Sequence, residues 1–275
     1  TIGSLLDLGV EEKYLMDELS KLELEGYKIN ITKQLKNGIM GTKFDVILSE
    51  ENEPSHTHHK HSHHHDHGEE VHNHEHHHHH DHGEEAHSHE HHHSHDHEHD
   101  HHHVHRNLKD IEGIIENSNL NDNVKNLSKR IFRVVAEAEG KIHGSTPEEV
   151  HFHEVGAIDS IIDIIGTAIC IDSLKVDKII FSKLPLSRGF VECQHGIIPL
   201  PAPATLEILK GMPVYFADAE LELVTPTGAA IAKALGDGYG DMEFTSIEKI
   251  GYGLGSATYE VPNALRTVLF NTKKN

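Results

Sequence analysis

Positions 151–174 read His-Phe-His-Glu-Val-Gly-Ala-Ile-Asp-Ser-Ile-Ile-Asp-Ile-Ile-Gly-Thr-Ala-Ile-Cys-Ile-Asp-Ser-Leu. The second half of this stretch is apolar on almost every side, which is typical of a helix buried at the centre of a domain. Its longest apolar run, Ile161–Ile171, is interrupted by Asp163 and is too short to cross a bilayer. We therefore expect a central helix that ends near Leu174, in a protein that is not a membrane transporter.

A stripe of small and polar residues breaks the apolar surface at the start of this helix. At helical spacing these residues share one face. The stripe consists of Gly156, Asp159, Ser160, Asp163 and Thr167. Just before it, two histidines alternate with Phe152, so both point to one side if the segment is extended.

Imidazole and carboxylate groups at this point are typical of a mixed nitrogen and oxygen site for a divalent metal. The predicted metal ligands are His151, His153, Glu154, Asp159 and Asp163. A structural interpretation stays open, because acidic residues in a first helical turn also complement the helix dipole. The two histidines can likewise serve only to close a turn.

Cys193-Gln-His195-Gly196 is a second candidate site. A thiolate and an imidazole two residues apart are good ligands for a soft metal, and Cys193 is also a possible nucleophile. We assign Cys193 and His195 as candidate catalytic residues. A partly buried structural cysteine is the alternative.

Two glycine-containing motifs are candidates for binding a phosphate. Thr225-Pro-Thr227-Gly228 precedes a predicted helix, and Gly251-Tyr-Gly253 reads as a loop whose backbone N–H groups are free for an anion. Neither is a dinucleotide fingerprint, and the chain has no G-x-x-x-x-G-K-[ST] motif, which argues against a P-loop GTPase. Plain turns are the alternative.

Between His56 and His105 the chain carries 28 of its 32 histidines, interleaved with Asp and Glu. We call residues 56–105 the His-rich segment. The sequence 66–78 recurs at 81–93 with two changes, and each copy ends in three histidines. Those six are predicted metal ligands: His76, His77, His78, His91, His92 and His93.

The composition of the His-rich segment predicts a disordered reservoir for nickel, copper or zinc. An expression tag is disfavoured by the internal position, whereas a plain spacer grown by repeat expansion stays open.

Composition excludes several classes of protein. A formal net charge of −21 argues against nucleic acid as a partner. Two cysteines make no disulfide framework, and no secretory pattern is visible, so we expect a cytoplasmic protein without a membrane partner.

Periodicity predicts a mixed α/β (α+β) fold. Residues 1–50 read as a small α+β unit that lacks its first strand. Residues 51–106 read as the disordered metal-binding insertion, and residues 107–275 as an α/β domain that carries both motifs. Helices are expected at 2–8, 11–22, 108–115, 123–143, 204–210 and 226–235. Strands are expected at 27–32, 41–48, 179–181, 214–216, 244–252 and 265–270. Residues 184–203 are predicted to form a Pro/Gly-rich loop.

Long motifs in this chain resemble the LarC nickel-insertion family. They are Leu5-Leu-Asp-Leu-Gly9, Glu149 to Asp163, Gly189 to Ala204, Glu222 to Ala230 and Lys249-Ile-Gly-Tyr-Gly253, together with the internal His-rich insertion. The resemblance implies a CTP-dependent lyase-type enzyme that inserts nickel into pyridinium-3,5-bisthiocarboxylic acid mononucleotide. It would release CMP and diphosphate and form the nickel-pincer cofactor of lactate racemase. It also implies a preceding strand and a C-terminal half that binds CTP with Mg²⁺ or Mn²⁺.

The resemblance implies as partners nickel ions, the mononucleotide, that C-terminal half and an apo-racemase, in a homo-oligomer. A non-catalytic store or metallochaperone for nickel, zinc or copper is the rival hypothesis, because nothing in the His-rich segment requires an enzyme.

Overall fold

The computed structural model describes residues 1–49, 106–152, 155–193, 196–240, 246–257 and 262–271. The predicted mixed α/β class is confirmed. The helices are α1 (Ile2–Leu8), α2 (Glu12–Leu19), a 3-10 turn (Ser20–Leu22), α3 (Leu108–Asn117), α4 (Asp122–His143), α5 (Ile158–Leu174), α6 (Pro203–Ile208) and α7 (Pro226–Leu235). None of these described helices is long and apolar enough to cross a bilayer.

The strands are mostly short, apart from the four that build the main sheet. They are β1 (Tyr27–Lys36), β2 (Ile39–Leu48), β3 (Arg106–Asn107), β4 (His151–Phe152), β5 (Ile180–Phe181), β6 (Leu184–Leu186), β7 (Phe190–Cys193), β8 (Gly196–Pro199), β9 (Val214–Phe216), β10 (Gly238–Tyr239), β11 (Ser246–Leu254) and β12 (Ala264–Asn271). The predicted loop at 184–203 is wrong in part, because β6, β7 and β8 lie within it. Strands of three or four residues with intervening Pro and Gly have too little alternation to be recognised.

The main sheet has the order β1-β2-β11-β12. The β1–β2 hairpin turns at Asn37 and Gly38, which both have positive φ, as a tight two-residue hairpin turn requires. β11 and β12 are also antiparallel, and the two hairpins meet where Thr42 pairs with Gly253 in parallel. Residues from both sides of the His-rich segment therefore form one sheet.

Helix α1 lies directly on this sheet. The side chain of Asp7 holds the contact, since it accepts hydrogen bonds from Lys33, from the Thr42 hydroxyl at 3.0 Å and from the Tyr252 N–H at 2.8 Å. Desolvation acts to raise the pKa of Asp7, but these three hydrogen bonds outweigh it and leave the pKa below its ordinary value.

Helix α5 occupies the centre of the described structure. Its isoleucines at 161, 162, 164 and 165 are all fully buried. They are surrounded by α1, α2, α4 and α7, so almost the whole circumference of the helix is covered. This explains the near-continuous apolar sequence and confirms the central helix that it predicts.

The end of α5 is joined to the start of α4 by a buried carboxylate. Asp172 accepts hydrogen bonds from Asn123 at 2.7 Å, Lys175 at 2.9 Å and Asn121 at 3.1 Å. Asn121 also caps α4, because its Oδ1 accepts the Val124 N–H. Although desolvation acts to raise the pKa of Asp172, these donors leave it below the ordinary value.

Candidate functional site

The candidate metal site begins in the short ladder that precedes α5. β4 pairs with β3, so that His151 lies opposite Asn107 and Phe152 lies opposite Arg106. The side chain of Phe152 is buried and packs against Phe132 with ring centroids 6.4 Å apart, whereas His151 is exposed. His151 and Phe152 therefore face opposite sides, as expected of neighbouring residues in an extended segment.

Arg106 closes the junction between this ladder and α5. Its Nη1 donates to the Gly156 carbonyl at 2.9 Å. Gly156 leaves no room for a side chain, since an added Cβ would lie 3.0 Å from the Phe152 carbonyl oxygen and 3.2 Å from that of Arg106. Desolvation lowers the pKa of Arg106, and the negative charge of Asp110 acts in the opposite direction.

The polar stripe of α5 is only partly open to ligands. Asp159 and Asp163 are exposed, and Asp159 Oδ1 accepts the N–H of Ser160 at 2.8 Å. Thr167 does not join them, because it is buried and its hydroxyl donates to the backbone carbonyl of Asp163 at 2.7 Å. Two carboxylates thus remain accessible at this end of the helix.

Asp163 differs electrostatically from an ordinary surface aspartate. It keeps contact with solvent, yet the surrounding protein removes enough hydration to raise its pKa. The negative charge of Asp159 adds to this rise. A neighbouring cation would relieve both the lost hydration and the repulsion between the two carboxylates.

The described residues supply only part of the predicted metal site. Among them, no group of three or more His, Cys, Asp or Glu side chains is placed to hold an ion. His153 and Glu154 lie outside the described residues, and so do the six predicted ligands of the His-rich segment. The metal site formed by His151, His153, Glu154, Asp159 and Asp163 therefore stays a prediction.

Cys193 lies at the tip of the β7–β8 hairpin. It is half-buried, and its thiol donates to the Gly196 carbonyl at 3.4 Å. Gly196 has a φ of +83°, which favours glycine at this position. His195 lies outside the described residues, so the predicted pairing of Cys193 with His195 stays a prediction.

The first predicted phosphate motif lies at the start of α7. The Gly228 N–H donates to Thr225 Oγ1 at 3.1 Å, which makes Thr225 the N-cap, and Pro226 follows in the first turn. Thr227 is half-buried beside them. One of the N–H groups expected for an anion is therefore taken by the chain itself, and phosphate binding at this helix stays a prediction.

The loop predicted at Gly251 and Gly253 is wrong. Both residues lie within β11, directly beneath α1. A Cβ added at Gly251 would lie 2.3 Å from the Ser4 carbonyl oxygen, and one at Gly253 would lie 2.5 Å from the Ser4 backbone nitrogen. The glycines are there because the helix and strand touch backbone to backbone, which leaves no space for a phosphate.

Comparison with known proteins identifies the family of the chain. The model of a protein family described as nickel insertion protein matches residues 1–275. The chain belongs to this nickel-insertion family. It is 52% identical over 274 residues to a pyridinium-3,5-bisthiocarboxylic acid mononucleotide nickel insertion protein of Clostridium acetobutylicum, covering 98% of this chain and 60% of the relative.

Other relatives of the nickel-insertion family carry the same name. The protein of Clostridium kluyveri is 48% identical over 269 residues, covering 98% of this chain and 58% of the relative. That of Acetivibrio thermocellus is 43% identical over 277 residues, covering 99% of this chain and 57% of the relative. The chain thus spans less than two thirds of the length of these relatives. No solved structure shows a significant match.

Sequence reasoning missed the contribution of Arg106 to the junction beside the candidate site. Arg106 was assigned to the His-rich insertion at 51–106, whereas the structure places it in β3. The available sequence signal was the Asn107-x-x-Asp110 pattern of a capping box. In the structure Asn107 Oδ1 accepts the Asp110 N–H at 3.0 Å, and the Asp110 carboxylate accepts the Asn107 N–H. That motif marks the start of α3 and places Arg106 at the edge of the folded body.

Proposed function

We propose that this chain is the nickel-handling part of a protein that inserts nickel into pyridinium-3,5-bisthiocarboxylic acid mononucleotide. The observation that carries the proposal is the family match over the whole chain, together with relatives at 48% and 52% identity whose names state this reaction. Nickel is the cargo of the reaction, and the product would be the nickel-pincer cofactor.

The site at the start of α5 would hold nickel before its transfer. The exposed carboxylates of Asp159 and Asp163 offer oxygen ligands, and His151 offers an imidazole on the adjoining strand. His153 and Glu154, next to that strand in sequence, would complete a borderline nitrogen and oxygen set. Such ligands suit a site that gives up its nickel, because Ni²⁺ would bind the softer sulfur atoms of the thiocarboxylates more strongly.

A second group of residues would help the transfer. Cys193 and His195 are our candidates for ligands during the transfer, since an imidazole suits nickel and a thiolate is a soft ligand, like the sulfur atoms of the substrate. The start of α7, with Thr225, Thr227 and Gly228, is our candidate contact for a phosphate. Gly251 and Gly253 have no part in the proposal.

The remaining features of the reaction rest on the family resemblance. We propose that insertion consumes CTP with Mg²⁺ or Mn²⁺, gives CMP and diphosphate, and requires a C-terminal half that completes the protein. The cofactor would then reach an apo-racemase in the cytoplasm, and the complete protein would be a homo-oligomer of the lyase class.

The proposal is tested by nickel transfer to the purified bisthiocarboxylate. The chain is combined with the C-terminal half, CTP and Ni²⁺, and the nickelated product is followed by mass spectrometry and absorbance. We expect product, with a rate reduced by about 100-fold in a His153→Ala/Asp159→Ala double variant. Asp17→Asn, on the exposed face of α2, is the matched control and should retain the full rate. Absence of product, or full activity of the double variant, would contradict the proposal.

A further inference from the structure

Two phenylalanine side chains are largely exposed on neighbouring parts of the fold. Phe216 ends β9 and is 64% exposed, and Phe190 begins β7 and is 71% exposed. β9 runs parallel to β6 with Phe216 opposite Leu186, and the Arg188 N–H donates to the Ala219 carbonyl at 3.0 Å. The backbone that leads from β6 into β7 therefore runs beside the end of β9.

The β7–β8 hairpin carries a second exposed apolar residue beside Phe190. Phe190 pairs with Pro199 and Glu192 pairs with Ile197, so Phe190 and Ile197 are diagonal neighbours on one face of the hairpin. Ile197 is 74% exposed. The described residues therefore leave this face of the hairpin open to a ligand.

Arg188 lies against Phe216 and has no acidic partner among the described residues. Its guanidinium lies over the Phe216 ring, 5.9 Å from the centroid. Other arginines are engaged within the chain, since Arg133 pairs with two glutamates and Arg106 and Arg130 donate to backbone carbonyls. A guanidinium that is held by stacking keeps its N–H groups available for a planar anion.

The position of Arg188 connects the two aromatic side chains. Only Gly189 separates Arg188 from Phe190, so the Cα atoms of these two residues are at most about 7 Å apart. Gly189 has a φ of +104°, a conformation that favours glycine at this bend. We call Arg188, Phe190 and Phe216 the Arg188 patch.

The chemistry of the Arg188 patch suits a charged aromatic ligand. Aromatic faces attract cationic rings, and a guanidinium binds carboxylate-type groups through two parallel N–H bonds. The relatives are named for pyridinium-3,5-bisthiocarboxylic acid mononucleotide, which carries two acidic groups on a cationic pyridinium ring. A guanidinium without an acidic partner attracts such groups even in a chain whose formal net charge is −21.

We propose that the Arg188 patch binds the ring of this mononucleotide, with the pyridinium on Phe190 and Phe216 and a thiocarboxylate on Arg188. The inference rests on the proposed function, because it names the residues that hold the substrate of that reaction. Phe216 stays largely exposed although Arg188 lies over it, so part of its ring surface remains available for the ligand.

The test measures binding of the purified mononucleotide to the full chain by calorimetry, with neither nickel nor CTP present. We expect Arg188→Gln to weaken binding about tenfold, because the charge and the paired N–H bonds are lost. Phe216→Leu should weaken it about threefold through loss of the aromatic face. Arg188→Lys should lie between wild type and Arg188→Gln, since it keeps the charge without the planar fork.

A matched control and two fragments of the substrate sharpen the test. Arg266→Gln removes another exposed arginine, on β12, and should leave the affinity unchanged. N-methylpyridinium-3,5-dicarboxylate keeps the ring and its acidic groups, whereas ribose 5-phosphate keeps only the sugar phosphate. In NMR titrations Arg188→Gln should weaken binding of the ring fragment and not that of ribose 5-phosphate. The reverse pattern would place the phosphate on Arg188 and overturn the inference.

Wild-type affinity in both Arg188→Gln and Phe216→Leu would also overturn the inference, and so would a wild-type chain that does not bind the mononucleotide. Sedimentation of the same proteins tests the alternative occupant. A dimer that these substitutions abolish, with the affinity unchanged, would make the patch an interface between two copies and overturn the inference. The nickel-transfer assay decides the proposed function separately. Absence of product from every chain, with the binding differences intact, would contradict that function and leave the assigned binding residues in place.

Discussion

The two ends of α5 both present aspartates, but they use them in opposite ways. At the C-terminal end, Asp172 is 7% exposed and accepts three hydrogen bonds from Asn121, Asn123 and Lys175. At the N-terminal end, Asp163 is exposed, and no side chain of the described residues donates to its carboxylate. Their pKa values accordingly move apart, lowered at Asp172 and raised at Asp163.

This difference separates a structural carboxylate from one that is available to a ligand. Desolvation acts to raise the pKa of both residues, but only Asp172 has donors that offset it. A raised pKa at an accessible carboxylate indicates a charge that the folded chain does not fully compensate. The nickel ion of the proposed site would supply that compensation.

The largest effect that would sharpen this comparison is on stability. Asp172→Asn keeps the shape of the side chain but sets an amide N–H₂ against the donors of Asn121 and Asn123. Leaving these buried groups poorly paired should lower the free energy of unfolding by about 1–3 kcal/mol. The matched variant Asp163→Asn should change it by less than about 0.5 kcal/mol. Urea unfolding measures both, and equal losses would remove the distinction between the two ends.

A smaller effect should appear in the dependence of stability on pH. Asp172 has a folded-state pKa below its ordinary 3.8, so it stabilises the protein above pH 3.8, and this contribution is lost as pH falls through the folded value. Asp163 has a raised pKa, so its contribution is present below 3.8 and is lost as pH rises through the folded value.

The variants should therefore change the acid limb of the stability curve in opposite directions. Asp172→Asn should flatten the loss of stability on acidification, whereas Asp163→Asn should steepen it. Unfolding midpoints measured across this acidic range provide the check. A parallel shift of both curves would contradict the assigned pKa directions.

Most regular elements could be predicted because their signals are local. The near-continuous apolar sequence predicted α5, and the strands predicted at 27–32 and 41–48 lie within β1 and β2. Of the predicted metal ligands, His151, Asp159 and Asp163 are exposed, but the metal site itself stays a prediction.

What could not be predicted depends on contacts between distant parts of the chain. The pairing of Thr42 with Gly253 has no signature in the local sequence of either strand. Gly251 was interpreted as a phosphate loop because a glycine beneath a helix and a glycine beside an anion meet the same requirement for close backbone approach. Two of the three donors to Asp172 come from residues about fifty positions away, so its structural role could not be distinguished from that of Asp163.

The central claim is that a tight nickel site lies in the folded body at the start of α5, apart from the His-rich segment. It is tested most directly by titrating Ni²⁺ into the chain that lacks residues 56–105, with calorimetry at about pH 7.5, where free imidazoles are neutral. We predict that one tight site remains, is weakened about tenfold or more by Asp163→Asn, and is unchanged by Asp172→Asn. Loss of all tight binding on deletion, or equal weakening by the two substitutions, would contradict the account.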